Sequence, residues 1–180
     1  MKKQFLLFIL PLVFPLVVSG QGSVNTTYSE SWDRWNINVG ASGSISSTYS
    51  NSWDNWEIHF GNISGSIRTT YSSSFDNWEI SVGGKSYKLQ TTYSKSWDNW
   101  ELSGGDLSST IKISTTYSSS WDNWEMDIPS GDLKISTTYN KSYDNWNISG
   151  SLDNANNGVK AAAAFIPVFV AAIYNKGLAK

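Results

Sequence analysis

The chain has no cysteine, a single histidine and four prolines in 180 residues, and charged side chains make up 16% of it. Without thiols there is no disulfide and no thiolate nucleophile, and zinc sites built from Cys and His are excluded with them. The lone histidine, His59, occupies a strand position where other copies of the same repeat carry Asn, Ser or Asp. An unrepeated histidine on a polar strand face reads as a solvated side chain. Gly-rich phosphate loops and nucleophile elbows are missing too. The sequence therefore leads us to expect no catalysis, no metal and no cofactor.

Positive charge is scarce as well. Beyond the first twenty residues, 11 basic side chains (13 less Lys2 and Lys3) face 15 acidic ones, a formal balance of −4. Such a chain repels nucleic acid and anionic membrane surfaces, so neither is expected as a partner.

What the chain has in abundance is one motif, Thr-Tyr-Ser-x-Ser-Trp-Asp-Asn-Trp-Glu-Ile, in six copies. Its tyrosines are Tyr28, Tyr49, Tyr71, Tyr93, Tyr117 and Tyr139, at steps of 21, 22, 22, 24 and 22 residues. All ten tryptophans flank the Asp-Asn pair, and Phe75 and Tyr143 fill the first of the two flanking positions where Trp is absent. A period near 22 is the mark of a repeat architecture.

Two architectures compete for it. If Asp-Asn is a two-residue turn, the flanking segments pair as an antiparallel hairpin. Period-2 alternation then places Tyr28, Glu30, Trp32, Trp35, Ile37 and Val39 on one face and Thr27, Ser29, Ser31, Asn36 and Asn38 on the other. The alternative is a parallel β-solenoid with about 22 residues per rung. Hairpins are favoured, because residues three apart in a continuous strand point to opposite sides, whereas a turn brings both tryptophans to one face.

The expected fold is thus all-β: tandem antiparallel hairpins, about twelve strands, in a meander that rolls up or closes because a sheet so long rarely stays flat. Gly-rich segments such as Gly83-Gly84-Lys85 read as the return turns. Residues 1–20 read as a signal peptide, with Lys2 and Lys3 before an apolar run and small residues at Ser19 and Gly20. Residues 21–150 hold the repeats. Residues 151–180 form a polar linker and an apolar segment, Ala161–Tyr174, interrupted by Pro167, which gives a kinked helix or a helical turn followed by a strand. We expect that segment to cover the aromatic face of the sheet, as a plug where the sheet rolls up or closes, with a membrane-associating tail as its rival.

Site chemistry is confined to the motif. Asp33, Asp54, Asp76, Asp98, Asp122 and Asp144 read as turn residues rather than calcium ligands, since each motif offers one carboxylate where calcium takes several converging oxygens. Should their rings be exposed, Trp32, Trp35, Trp53, Trp56, Trp97, Trp100, Trp121 and Trp124 would form a binding platform for sugars or quaternary ammonium groups. Otherwise they are core. In outline the array resembles the choline-binding hairpin repeats of bacterial surface proteins, although it lacks their Gly-Trp opening and Trp-Tyr-Tyr strand.

The polar face, with its rows of hydroxyls, reads as a soluble exterior. A transmembrane barrel is disfavoured by Glu30, Lys95 and Lys141, which would fall on its lipid face. The expectation for function is an exported, non-catalytic repeat protein with a structural or adhesive role at the cell surface or in the periplasm. A carbohydrate- or choline-type binding module is the alternative. Partners would be a glycan or another surface component, or further copies of the chain joined through a free edge strand.

Overall fold

A computed structural model describes residues 20–175 apart from positions 30, 50, 51, 72, 73 and 119. The segment assigned to targeting therefore lies outside the described residues, save Gly20, which opens the first strand.

Twelve strands form a closed antiparallel meander. They are β1 (Gly20–Thr26), β2 (Arg34–Asn38), β3 (Ser42–Ser47), β4 (Asn55–Phe60), β5 (Ile63–Thr69), β6 (Asn77–Val82), β7 (Lys85–Thr91), β8 (Asn99–Gly104), β9 (Ile111–Thr115), β10 (Asn123–Asp127), β11 (Leu133–Thr137) and β12 (Asn145–Gly150). Each pairs with its neighbours in sequence, and β12 pairs back onto β1 from Gly20↔Gly150 to Asn25↔Asn145. Every pairing is antiparallel, which excludes the solenoid. Closure also leaves no free edge among the described strands, so edge-to-edge assembly would require the barrel to open.

Alternation sorts the side chains as period 2 demands. In β2, Trp35 and Ile37 are buried while Arg34, Asn36 and Asn38 are exposed, and in β4 Trp56, Ile58 and Phe60 point in while Glu57 and His59 point out. The outer wall is hydroxyl, amide and charge, with cross-strand ion pairs Arg68–Glu79 at 3.0 Å and Lys134–Glu125 at 3.6 Å. A wall of this kind suits water, whereas lipid requires an apolar outer band.

Twelve strands enclose more space than their own side chains fill. The remaining volume holds α1 (Asn157–Asn175), a helix of 19 residues about 28 Å long at 1.5 Å per residue. A single 3₁₀ turn, Leu152–Asn154, leads from β12 into it. From Ala161 to Ile173 every side chain is buried, on all sides of the helix. The apolar segment is thus the plug, and Pro167 lies inside one continuous helix rather than at a junction with a strand. The missing N–H of Pro167 and its ring cost the helix about 3 kcal/mol. A lumen lined with apolar side chains and closed by paired strands offers the segment no strand partner, so helix is still the conformation that satisfies its remaining backbone groups. By length and composition this helix could also cross a bilayer, but 83% of its most apolar window is buried inside the barrel.

The helix enters at the end of the barrel that carries the Gly-rich turns. Asn156 caps it, its Oδ1 accepting from the Val159 amide at 2.9 Å. Asn156 Nδ2 donates to Asp106 Oδ1 at 3.0 Å, and the Tyr87 hydroxyl donates to the same oxygen at 2.6 Å. Gly158 passes the Tyr87 ring so closely that a Cβ there would lie 2.4 Å from it. At this end the return turns follow their sequences. Gly83 and Gly84, with φ of 59° and 74°, form the two-residue turn between β6 and β7 in the left-handed region that glycine adopts freely.

Candidate functional site

The opposite end of the barrel is built from the motif, and its geometry departs from the expected two-residue turn. The strands separate before the tyrosine. The Thr27 amide donates to the Arg34 carbonyl and closes a loop from Tyr28 to Asp33, and the same bond recurs from Thr48 to Asn55, Thr70 to Asn77, Thr92 to Asn99, Thr116 to Asn123 and Thr138 to Asn145. Within each loop the tyrosine carbonyl accepts from the amide of the serine three residues on, as in Ser31 to Tyr28 at 3.0 Å and Ser142 to Tyr139 at 2.9 Å. Asp-Asn therefore lies where a wider loop rejoins its strand.

This wider loop overturns one expectation. Counting alternation back through a tight turn puts the tyrosines on the inner face with the tryptophans. Instead Tyr28, Tyr49, Tyr71, Tyr93, Tyr117 and Tyr139 are 67–74% exposed. They stand around one rim of the barrel as a crown of six rings, each between polar residues in sequence. The available signal was composition: Thr-Tyr-Ser-x-Ser is a run of small polar residues, which is how loops read.

The tryptophans fall into two classes. Trp35, Trp56, Trp78, Trp100, Trp124 and Trp146 are buried, at 0–1% exposure. Each donates its Nε1–H to the backbone carbonyl three residues earlier, at 2.8–3.0 Å. That spacing lets a large ring enter the core with its one polar atom satisfied. Four of the proposed platform residues, Trp35, Trp56, Trp100 and Trp124, belong to this class and lack the exposure that binding requires. The others, Trp32, Trp53, Trp97 and Trp121, are half-buried and pack on the core. Rings of both classes close over the far half of the helix. Phe165 meets Trp78 at 4.8 Å between centroids, Phe169 meets Trp100 at 4.9 Å and Trp97 at 6.3 Å, and Tyr174 meets Tyr143 at 4.7 Å.

The six aspartates hold the crown in shape. Asp33, Asp54, Asp98, Asp122 and Asp144 each accept on Oδ1 from the serine hydroxyl two residues earlier: Ser31 at 3.0 Å, Ser96 at 2.8 Å, and likewise Ser52, Ser120 and Ser142. Asp76 instead reaches the next loop, where it accepts from the Lys95 amide at 2.9 Å, Trp97 Nε1 at 3.0 Å and Ser94 Oγ at 3.1 Å. Their backbones do more. The carbonyls of Asp33, Asp54, Asp76, Asp98 and Asp122 accept from the amides of Ser47, Thr69, Thr91, Thr115 and Thr137, and Asp144 closes the circuit onto Thr26. Every loop is thereby bonded at its aspartate to the last residue of the strand that leads into the following loop, the sixth to the end of β1. At the tips of two loops Lys95 and Lys141 sit at φ of 59° and 58°.

Elsewhere the described residues offer little chemistry. They contain no group of three or more His, Asp or Glu side chains placed to hold a metal. His59 points outward from β4 and is exposed. A cleft of about 180 Å³ beside the helix N-terminus is lined by Asp106, Asn154, Asn156 and the apolar side chains of Ile111, Ile128 and Val159. The phenol of Tyr87 is pushed up to about 12, first by burial and then by the Asp106 carboxylate beside it. Burial also raises Tyr143, helped by Asp122 and Tyr174. These groups anchor the helix at its two ends. No protein family, no curated protein and no solved structure matches this chain.

Proposed function

We propose that this is an exported, non-catalytic adhesion module, a rigid barrel that presents its six motif loops as one contact surface. The observation that carries the reading is the crown. Six tyrosines at equivalent loop positions are left in water by a fold that buries or half-buries every other described large ring except Tyr174. Tyr among Ser, Thr and Asn is a composition suited to contact, because the ring supplies rigid amphipathic area and its neighbours supply adaptable hydrogen bonds. The bonded circuit of loops preorganises that surface and lowers the ordering cost of binding. Export is supported by the basic start and apolar run of residues 1–20.

The test is to express the full chain in bacteria and follow two quantities. N-terminal sequencing of protein recovered outside the cytoplasm should begin near Gln21. Retention on washed cell surfaces should fall at least several-fold when all six crown tyrosines are changed to serine, with thermal unfolding unchanged. Equal retention of the two proteins would sink the adhesive reading, and cytoplasmic accumulation of an uncleaved chain would sink export.

A further inference from the structure

Resting on that reading of the crown, we propose that its partner is an uncharged polysaccharide of repeating sugar units, gripped by the six tyrosine rings. Three observations select this class. The first is repetition. The loops share the same two backbone hydrogen bonds, and their rings are exposed to nearly the same degree, between 67 and 74%. Six like subsites suit a ligand that offers like units, and a polymer that engages several at once gains avidity that no single unit has.

The second is the grain of the surface. Every crown tyrosine has Thr before it and Ser or Asn after it. The apolar area therefore comes as single rings separated by hydroxyl and amide groups. A pyranose has the matching pattern, an apolar C–H face edged by hydroxyls. Acyl chains or an apolar protein face would call for contiguous apolar area, which the crown lacks.

The third is charge. Between tyrosine and aspartate the six loops carry seven carboxylates (Glu30 and the six aspartates) against Lys95 and Lys141. An acidic rim repels polyuronates, sulfated glycans and anionic bilayers, and leaves neutral sugars as the class it tolerates. The tryptophans are buried in the core or packed against it.

The experiment is co-sedimentation of the mature protein with insoluble β-1,4-glucan, β-1,3-glucan, mannan and chitin. Polyuronate, free choline and phosphatidylcholine vesicles serve as contrasts. The expected result is saturable binding to at least one neutral polymer and none detectable to its monosaccharide. Changing Tyr28, Tyr71 and Tyr117 together to serine should weaken binding roughly tenfold or more through lost avidity, and changing all six should abolish it. Melting curves of the variants establish that the barrel is intact.

Binding confined to polyuronate, choline or vesicles, or to none of the probes, would overturn the polysaccharide assignment. The adhesive reading would survive that result if surface retention still depended on the tyrosines. Polymer binding that persists in the six-tyrosine variant would overturn both, because the contact would then lie off the crown.

Discussion

At the scale of single residues, the third aromatic of each motif, the tryptophan after Asp-Asn, is where stability is concentrated. Trp78 touches Phe165 and Phe169, is fully buried, and has its N–H bonded to the Phe75 carbonyl. Trp78→Ala should cost about 3–5 kcal/mol by the usual penalty for emptying a core site. Trp32→Ala, at a half-buried ring, should cost roughly 1–2 kcal/mol. Urea denaturation of the two variants checks both, and equal losses would contradict the division into two classes. Tyr87 supplies a pH dependence. Its pKa is raised in the folded state, so its contribution is complete below the ordinary value of 10 and is lost as pH rises through about 12. The loss amounts to about 2–3 kcal/mol at most. Tyr87→Phe should flatten the fall of the urea midpoint across that window relative to wild type, leaving the share that belongs to Tyr143, whose pKa is also raised. Much of this scale was legible in the sequence. The inward set Trp35, Ile37 and Val39 follows from alternation alone, as do the outward Asn36 and Asn38. The tyrosines were not, because parity carries information only while the chain remains a strand. The strand ends at Thr26, two residues before Tyr28, and the loop resets the count.

At the scale of elements, the helix is what the barrel is built around. Ala161–Ala164 keep its first half thin near the Gly-rich turns, and Phe165 and Phe169, one turn apart, fill the wider space among the tryptophans. Removing residues 151–180 should expose Trp35, Trp56, Trp78, Trp100, Trp124 and Trp146 to the emptied lumen. Tryptophan emission should shift to the red and become readily quenched by acrylamide. Unchanged emission would mean that the strands bury these rings without help. An apolar plug could be inferred from sequence because an aromatic face needs cover. Its conformation across Pro167 could not, because the choice between helix and strand depended on whether the surrounding wall had an edge to offer, and closure removed it.

At the scale of the whole molecule, closure sets a number. The meander and its twelve strands follow from six repeats and their glycines, but the pairing of β1 with β12 joins residues over a hundred positions apart and has no local signature. In an open array, loss of one repeat subtracts one increment of stability. Here the perimeter must fit the helix. Deletion of one 22-residue repeat, such as 72–93, leaves ten strands and too narrow a lumen, so the chain should lose its cooperative unfolding transition although its remaining hairpins are intact. A shortened protein that still unfolds in one sharp transition, at a midpoint lowered only slightly, would show that the helix is not the gauge of the ring.

The circuit of bonds from each aspartate carbonyl to the next strand has a mechanical consequence. A barrel mouth held only by its hairpins would open like a zipper, one loop at a time, under a pull on any tip. Tied at its aspartate to the strand beneath the following loop, each of the six loops belongs to one hoop of bonds. Tension applied at one tyrosine is passed to neighbours on both sides and carried around the rim, so several bonds must yield together before any loop peels away.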